Sequence, residues 1–290
     1  MAIPGRRDAR DGLVFSLPFL AIYGVFMVFP LCFGLFISFF DWDILSARTF
    51  VGLGNYLKLL SDDLFYGSLW HTVQFVLMTT PILMVAGFVM ALVVTSSSPL
   101  AKVAENVFFL PYILSMTVVG TLWAWIMQNN YGFLNQLLTA LGLGTVGWLI
   151  DPNVALWSVT LATLWWTAGF NMVLYSAGIK QISKEIYESA EMDGAGYLRR
   201  LFGITLPMVR PTTTLCLILQ IIASFNVFGQ VYVMTGGGPY GTTRVLTQYA
   251  YEAGFKYFKM GYSAAMSYVL FLIILAVSLA QYLVLDKDHA

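Results

Sequence analysis

Six stretches of this chain, at 13–40, 68–95, 103–127, 154–179, 208–234 and 261–285, are long and apolar enough to leave water altogether. A hydrocarbon core about 30 Å thick takes roughly 20 residues of helix to cross. Lipid offers no hydrogen bonds, so a chain inside it must satisfy its own backbone, and an α-helix does this segment by segment. Inside those bounds the charged residues are Glu105 and Arg210, each two positions from the end of its stretch. Between the stretches lie the breakers expected of surface loops: Asp41-Trp42-Asp43, Ser96-Ser97-Ser98-Pro99, Asp151-Pro152 and Gly236-Gly237-Gly238-Pro239. The expected fold is all-α, a polytopic membrane protein of six transmembrane helices. Its organisation is a tail at 1–12, a single six-helix domain over 13–285 with a long loop at 182–207, and a tail at 286–290.

Orientation follows from the cations. If the N-terminus is cytoplasmic, inner regions hold Arg6, Arg7, Arg10, Lys102, Lys180, Lys184, Arg199, Arg200, Arg210 and Lys287, ten of the fifteen basic residues. Arg48, Lys58, Arg244, Lys256 and Lys259 remain outside, and the loop 128–151 has none. Basic residues accumulate on the cytoplasmic side, so both termini and the loop 182–207 are placed there. The first stretch resembles a signal peptide in having basic residues before an apolar run, but it is too long. Phe39-Phe40-Asp41-Trp42 is also no small-residue cleavage site, so the stretch is expected to stay attached. A formal net charge of zero, with no basic stretch interleaved with aromatics, argues against a nucleic-acid partner. Cys32 and Cys216 sit in apolar segments and read as packing residues, and no metal site is expected.

The loop 182–207 is patterned. Ser183 is placed to cap a short helix, with Glu185 in its first turn favoured by the helix dipole. Ile182, Ile186 and Ala190 recur at spacing four as a narrow apolar stripe, on a helix otherwise carrying Lys184, Glu188 and Glu191. Gly194 and Gly196 stop it, as residues that tolerate the left-handed conformation of a C-terminal cap. A second amphipathic piece, 197–202, leads into Ile204-Thr205-Leu206-Pro207.

Glu188-Ser189-Ala190, then Asp193-Gly194, then nine residues to Ile204, then Leu206-Pro207, resembles the EAA motif of permease subunits of binding-protein-dependent ABC importers. Ser189 departs from the alanine of the motif's name but stays small. Phe50-Val51-Gly52-Leu53 with Asn55-Tyr56, Phe109-Leu110-Pro111 and Thr235-Gly236-Gly237-Gly238-Pro239 are similar to the carbohydrate branch of these permeases, represented by the maltose and glycerol-3-phosphate systems. The resemblance implies a type I ABC importer permease fold in a bacterial cytoplasmic (inner) membrane. It also implies that Glu188, Ser189, Ala190, Asp193, Gly194, Ile204, Leu206 and Pro207 engage a separate ATPase. The partners it implies are a second homologous permease subunit, a dimer of ATP-binding subunits, an extracytoplasmic solute-binding protein, membrane lipid and a sugar substrate. The alternative reading of the loop is a helix resting on lipid headgroups, which its weak stripe and its anions disfavour.

No Gly-Lys pair exists, hence no phosphate-cradling P-loop, and no acidic residue or lysine sits mid-span to relay protons or hold sodium. The chain is accordingly expected to carry no cofactor of its own, ATP and Mg being bound by the partner ATPase. A secondary transporter is disfavoured on the same ground. An intramembrane protease would need a Gly-x-Ser-Gly turn and a late-span histidine, and neither is present, His289 lying in the tail. His71 lacks a partner motif and reads as a satisfied or interfacial imidazole. Glycerol-phosphate-type or other small polar cargo remains the alternative to sugar.

A pathway through such helices should be lined by polar groups. Thr160, Thr163, Thr167, Asn171 and Tyr175 follow spacings of three, four, four and four on one narrow face of the fourth span. Gln220, Ser224, Asn226 and Gln230 fall within roughly half the circumference of the fifth. Trp165, Trp166 and Tyr232 beside them would suit a sugar, whose ring faces pack on aromatics while its hydroxyls take hydrogen bonds. Polar stripes also act as glue between membrane helices, and spacing alone leaves both roles open. Trp123, Trp125, Trp148 and Trp157 lie near span ends and read as interface anchors.

Overall fold

The computed structural model describes residues 6–44, 47–96 and 98–285, with side chains described over 15–283 of these. The 286–290 tail with Lys287 and His289, and the first five residues of the 1–12 tail, lie outside the described residues. So do the side chains of Arg6, Arg7 and Arg10. The described chain is helical almost throughout: α1 (Arg6–Tyr23), α2 (Phe29–Ser38), α3 (Gly54–Leu59), α4 (Asp63–Val94), α5 (Ala101–Ile113), α6 (Met116–Ile126), α7 (Phe133–Ala140), α8 (Ala155–Lys180), α9 (Lys184–Met192), α10 (Tyr197–Arg200), α11 (Leu206–Met208), α12 (Arg210–Phe225), α13 (Gly229–Met234), α14 (Leu246–Tyr251) and α15 (Met260–Leu285). Wider π turns occupy Gly24–Val28, Leu201–Thr205 and Glu252–Lys256. One two-stranded ribbon pairs β1 (Phe40–Asp41) antiparallel with β2 (Thr49–Phe50).

Among the described residues, Phe15–Ser38, Asp63–Val94 and Met260–Leu283 are long and apolar enough to cross a bilayer as single helices. The most apolar window of Phe15–Ser38 has none of its residues buried. Such a surface is stable only against lipid or another apolar face. Helix α8, at 26 residues, has the length to cross, but its Thr, Trp, Gly and Asn content keeps it out of that apolar set.

Two of the expected straight spans are corrected. The third, 103–127, is two helices, Ala101–Ile113 and Met116–Ile126, bent by 95°. Leu114 and Ser115 adopt extended backbone, and the Ser115 hydroxyl accepts from Val118 N–H to start the second helix. The fifth, 208–234, is broken at both ends. A 62° bend separates Tyr197–Met208 from Arg210–Phe225, and the helix stops again at Asn226 before restarting at Gly229. An unbroken run of apolar residues carries no mark of a break that a serine cap or a residue or two of non-helical backbone supplies. The premise that Gln220, Ser224, Asn226 and Gln230 share one helix face is therefore also corrected: Gln230 belongs to α13 and Asn226 to the break.

The described chain packs as two compact units. One comprises the residues up to Asp62 with Ala250–Val269, the other Asp63–Tyr249 with the residues from Leu270 onward. In the first, buried Asn55 donates through Nδ2 to the carbonyls of Ser38 and Phe40 at 2.9 Å each, and Ser38 Oγ meets Tyr56 Oη at 2.7 Å. These bonds tie α3 to the end of α2. Gly261 lies so close to this joint that a Cβ there would stand 1.8 Å from the Phe40 carbonyl.

The second unit is organised by α4, α5, α8 and α12. Its helices approach through glycines: a Cβ at Gly87 would stand 2.5 Å from that of Asn171, one at Gly169 2.3 Å from the Phe108 carbonyl, and one at Gly178 2.3 Å from Thr212 Oγ1. Small residues at such crossings let membrane helices touch backbone to backbone, where dispersion rather than the hydrophobic effect holds them. One core cluster gathers Phe75, Met127, Val159 and Val231. A second gathers Ala91, Met172, Tyr175, Ile182 and Val209 at the end of α4 that faces the loop 182–207.

Candidate functional site

Helix α9 is the centre of the loop 182–207. Ser183 sits in extended backbone, and its hydroxyl accepts from Glu185 N–H at 3.3 Å, as a side-chain N-cap does. The helix ends in a paired cap: Gly194 N–H donates to Glu191 O at 2.9 Å and Ala195 N–H to Ala190 O at 2.8 Å. This Schellman arrangement needs a left-handed residue, and Gly194 supplies it with φ +76°. Gly196 was expected to share that role; it instead has φ −67° and stands in extended backbone as the N-cap of α10.

None of the nine residues of α9 is buried. Glu188, Ser189, Asp193 and Gly194 are exposed, Ala190 and Ile204 are half-buried, and Leu206 and Pro207 are exposed. The stripe Ile182, Ile186 and Ala190 is only partly turned inward, with Ile182 8% exposed but Ile186 38%. What seats α9 is a residue the stripe did not include. Tyr187 packs on the core cluster of Ile182 and Val209, and its hydroxyl meets Thr205 Oγ1 at 2.9 Å. An Arg200–Glu191 ion pair joins α9 to α10. Beside them Ala190, Asp193, Ala195, Arg199, Gly203 and Ile204 line an open hollow of about 280 Å³. The signal for Tyr187 was available in its helical register one position after Ile186, but its hydroxyl gave it the look of a solvent residue.

The polar residues of the fourth and fifth spans converge elsewhere in this unit. Thr163, Thr167, Gln220, Ser224 and Gln230 share a cleft of about 110 Å³ with Tyr112 and Phe170. The Tyr112 and Phe170 rings stack at 5.2 Å, and Trp166, 6.5 Å from Tyr112, donates its indole N–H to Leu114 O at 3.1 Å. The threonines of α8 return their hydroxyl protons to their own helix, Thr163 to Val159 O at 2.9 Å and Thr167 to Thr163 O at 2.8 Å, which leaves the oxygens as acceptors. Sequence spacing did not find Tyr112 and Phe170, which the 95° bend and α8 bring together.

Other residues named from sequence are placed apart from this cleft. Asn171 and Tyr175 are 1% and 2% exposed, Asn171 bonded to Gln220 and Tyr175 packed edge-on against Phe88. Trp165 is exposed, with its ring 5.8 Å from Trp123. Asn226 is exposed and donates to Ile222 O at 2.8 Å. Tyr232 is exposed and stacks on Phe228 at 5.2 Å. His71 Nδ1 lies 3.1 Å from Arg244 O, the satisfied imidazole that was expected.

The described residues form a largely helical chain with long apolar helices and one exposed, capped helix between its fourth and fifth spans. Residues 65–287 match the family described as "Binding-protein-dependent transport system inner membrane component", and the chain belongs to that family. It is 35% identical over 276 residues to the probable ABC transporter permease protein YurN of Bacillus subtilis, covering 92% of this chain and 93% of YurN. It is 31% identical over 274 residues to the trehalose/maltose transport system permease protein MalF of Thermococcus litoralis, covering 93% of this chain and 92% of MalF. The fold is that of a chain in the crystal structure of a bacterial ABC transporter involved in the import of the acidic polysaccharide alginate, with a TM-score of 0.84 over 96% of both chains at 22% identity. The type I importer architecture expected from the loop is thus the observed one.

Proposed function

We propose that this chain forms half of the translocation pathway of an ATP-driven importer of a sugar or oligosaccharide in a bacterial cytoplasmic membrane. Its loop 182–207 takes up the movement of a separate ATPase. The observation that carries this reading is α9 itself. A helix of nine residues is too short to be stable in water on its own propensity. This one buries none of them in its own chain, yet caps both ends with full geometry. A helix so built holds a fixed shape for something else to grip.

In this reading Glu188, Ser189, Asp193 and Gly194 face the ATPase, while Tyr187 and Ile182 carry its motion into the cluster around Val209. A second homologous permease subunit supplies the other half of the pathway, and the ATP-binding subunits form a dimer that holds ATP and Mg. An extracytoplasmic solute-binding protein delivers the cargo. The sugar assignment is supported by the trehalose/maltose cargo in the name of the 31% identical relative. It is supported too by a cleft that sets the Tyr112–Phe170 face against amide and hydroxyl groups. Rings pack on such faces while hydroxyls bond to such groups.

Gly194 offers a clean test, because a Cβ there meets nothing within 4 Å and only its φ of +76° resists a side chain. Gly194→Val puts a β-branched residue into left-handed backbone, at a cost of roughly 1–2 kcal/mol, and so deforms the end of α9. Substrate-stimulated ATP hydrolysis by the reconstituted complex should be lost with membrane insertion intact. Gly194→Asn, which tolerates this backbone, should retain it. Full coupling in the valine variant would remove the role assigned to the loop.

A further inference from the structure

Three helices of the second unit meet at a buried line of polar side chains. Asn171 on α8 donates through Nδ2 to Gln220 Oε1 on α12 at 2.9 Å, and Gln220 Nε2 donates to Ser224 Oγ at 3.0 Å. Ser224 Oγ lies 3.0 Å from Thr79 Oγ1 on α4, and Thr79 donates to Phe75 O at 2.7 Å. All four side chains are 7% exposed or less, Thr79 being 0%. Gln220 and Ser224 also form part of the wall of the aromatic cleft, whereas Thr79 and Asn171 do not.

The direction of every proton in this line is set at one end. Thr79 has a single hydroxyl proton and spends it on a helix carbonyl, which can only accept. Ser224 must then donate to Thr79 and has only lone pairs left for Gln220. Gln220 therefore turns its NH2 toward Ser224 and its carbonyl toward Asn171, and Asn171 answers with its own NH2. The line ends at Asn171 Oδ1, which has no partner among the described residues. Reversing the Gln220 amide would set its carbonyl against the Ser224 lone pairs and its NH2 against that of Asn171.

We infer that Thr79 is a positioning residue for cargo selectivity, which orients the Gln220 amide at the cleft wall through Ser224 without touching the cargo. The inference rests on the reading of this cleft as part of the sugar pathway. With the order imposed by Thr79, the wall offers the second amide proton of Gln220 as a donor and the spare Ser224 lone pair as an acceptor. That pair suits one arrangement of neighbouring ring hydroxyls over its epimer. Thr79→Val keeps the shape and removes the acceptor and the donor, so Ser224 becomes free to donate to a reversed Gln220.

The test uses the full complex in proteoliposomes with its binding protein and two disaccharides that the binding protein holds equally, one ending in glucose and one in galactose. Thr79→Val should change the ratio of their transport kcat/KM by roughly 3- to 10-fold, the worth of one hydrogen bond gained or lost. Basal ATP hydrolysis should stay unchanged, and Thr79→Ser should restore the wild-type ratio. If the valine variant does not assemble, Thr79→Ala removes the same proton without adding volume. An unchanged ratio, or an equal loss for both sugars, overturns the positioning role. Failure of the wild-type complex to take up any sugar overturns the pathway reading instead, and the inference falls with it.

Discussion

Helix α9 buries none of its nine residues, while α8, immediately before it, buries fourteen of twenty-six, among them Ser158, Thr160, Thr163, Asn171 and Ser176. Both carry polar side chains at helical spacing. In α9 those side chains face water, and shape is held at the ends, by Ser183 and by the left-handed Gly194. In α8 they face other helices, and shape is held along the length. Threonines bond to carbonyls one turn back, Asn171 reaches Gln220, and glycines admit the neighbours. The first helix is built to be gripped from outside, the second to keep three helices in register. Substitutions that look alike on paper should therefore have unlike costs in the two places.

The largest contrast is expected between two glycine-to-alanine changes. At Gly169 the new Cβ would lie 2.3 Å from the Phe108 carbonyl and 2.9 Å from Phe109 Cα, both backbone, so α5 and α8 must separate. A cost of about 3 kcal/mol, at the upper end for overpacking, should show as a large drop in the yield and melting temperature of the detergent-solubilised protein. At Gly203, in the π turn after α10, nothing lies within 4 Å of the Cβ. Gly203→Ala should leave the melt unchanged or raise it by the equivalent of roughly 0.5 kcal/mol. Equal melts for the two variants would mean that the helix crossing is not as close as the structure places it.

A smaller effect should separate single from double changes in the polar line. Gln220→Leu leaves the buried Asn171 amide without its partner and takes from Ser224 one of its two side-chain hydrogen bonds, the one to Thr79 remaining, at a cost of about 1–2 kcal/mol. Asn171→Leu combined with Gln220→Leu removes both ends of that bond and should recover part of the loss, because an unmade pair costs more than an absent one. A double-mutant cycle on the melting free energy reads the coupling, which averages about 0.6 kcal/mol for polar pairs between membrane helices. Strict additivity would show that Asn171 and Gln220 are neighbours without being partners.

The same contrast explains what could be read from the residues. In the loop 182–207 the two ends of α9 were legible because their structure is local, whereas its seat on Tyr187 was not. A serine before an acidic first turn and a glycine after the last turn each act within a few residues, so Ser183, Glu185 and Gly194 found the roles expected of them. The membrane core was legible in the spacing of its polar face, since Thr160, Thr163, Asn171 and Tyr175 do turn inward together. It was not legible wherever the outcome depended on a partner distant in sequence. Nothing near Tyr112 announces Phe170, and the amide of Gln220 looks the same whether it meets cargo or Asn171. The breaks at Ser115 and Asn226 escaped for a related reason. Apolar composition continues straight through both, and what stops each helix is a local backbone conformation that hydropathy does not register, extended at Leu114 and Ser115 and off-helical at Asn226.

The smallest effect is expected at the ion pair between α9 and α10, where charge acts at the water-facing end of the comparison. Glu191 retains 59% side-chain exposure and Arg200 23%, so water and salt screen the attraction. Pairs of this kind contribute about 0–1 kcal/mol. Arg200 also lines the cleft beside Tyr187, Tyr197 and Thr205, where the hydroxyls of Tyr187 and Thr205 already bond to each other. Glu191→Gln should thus loosen α9 from α10 without unseating α9. Hydrogen exchange at the amides of 197–200 should quicken by less than about 5-fold at low salt, the equivalent of under about 1 kcal/mol, and the difference from wild type should shrink as salt is added. A salt-independent loss, or one that spreads to the amides of 184–192, would mean that the pair rather than Tyr187 seats the helix. The two regions would then differ in exposure alone and not in how they are held.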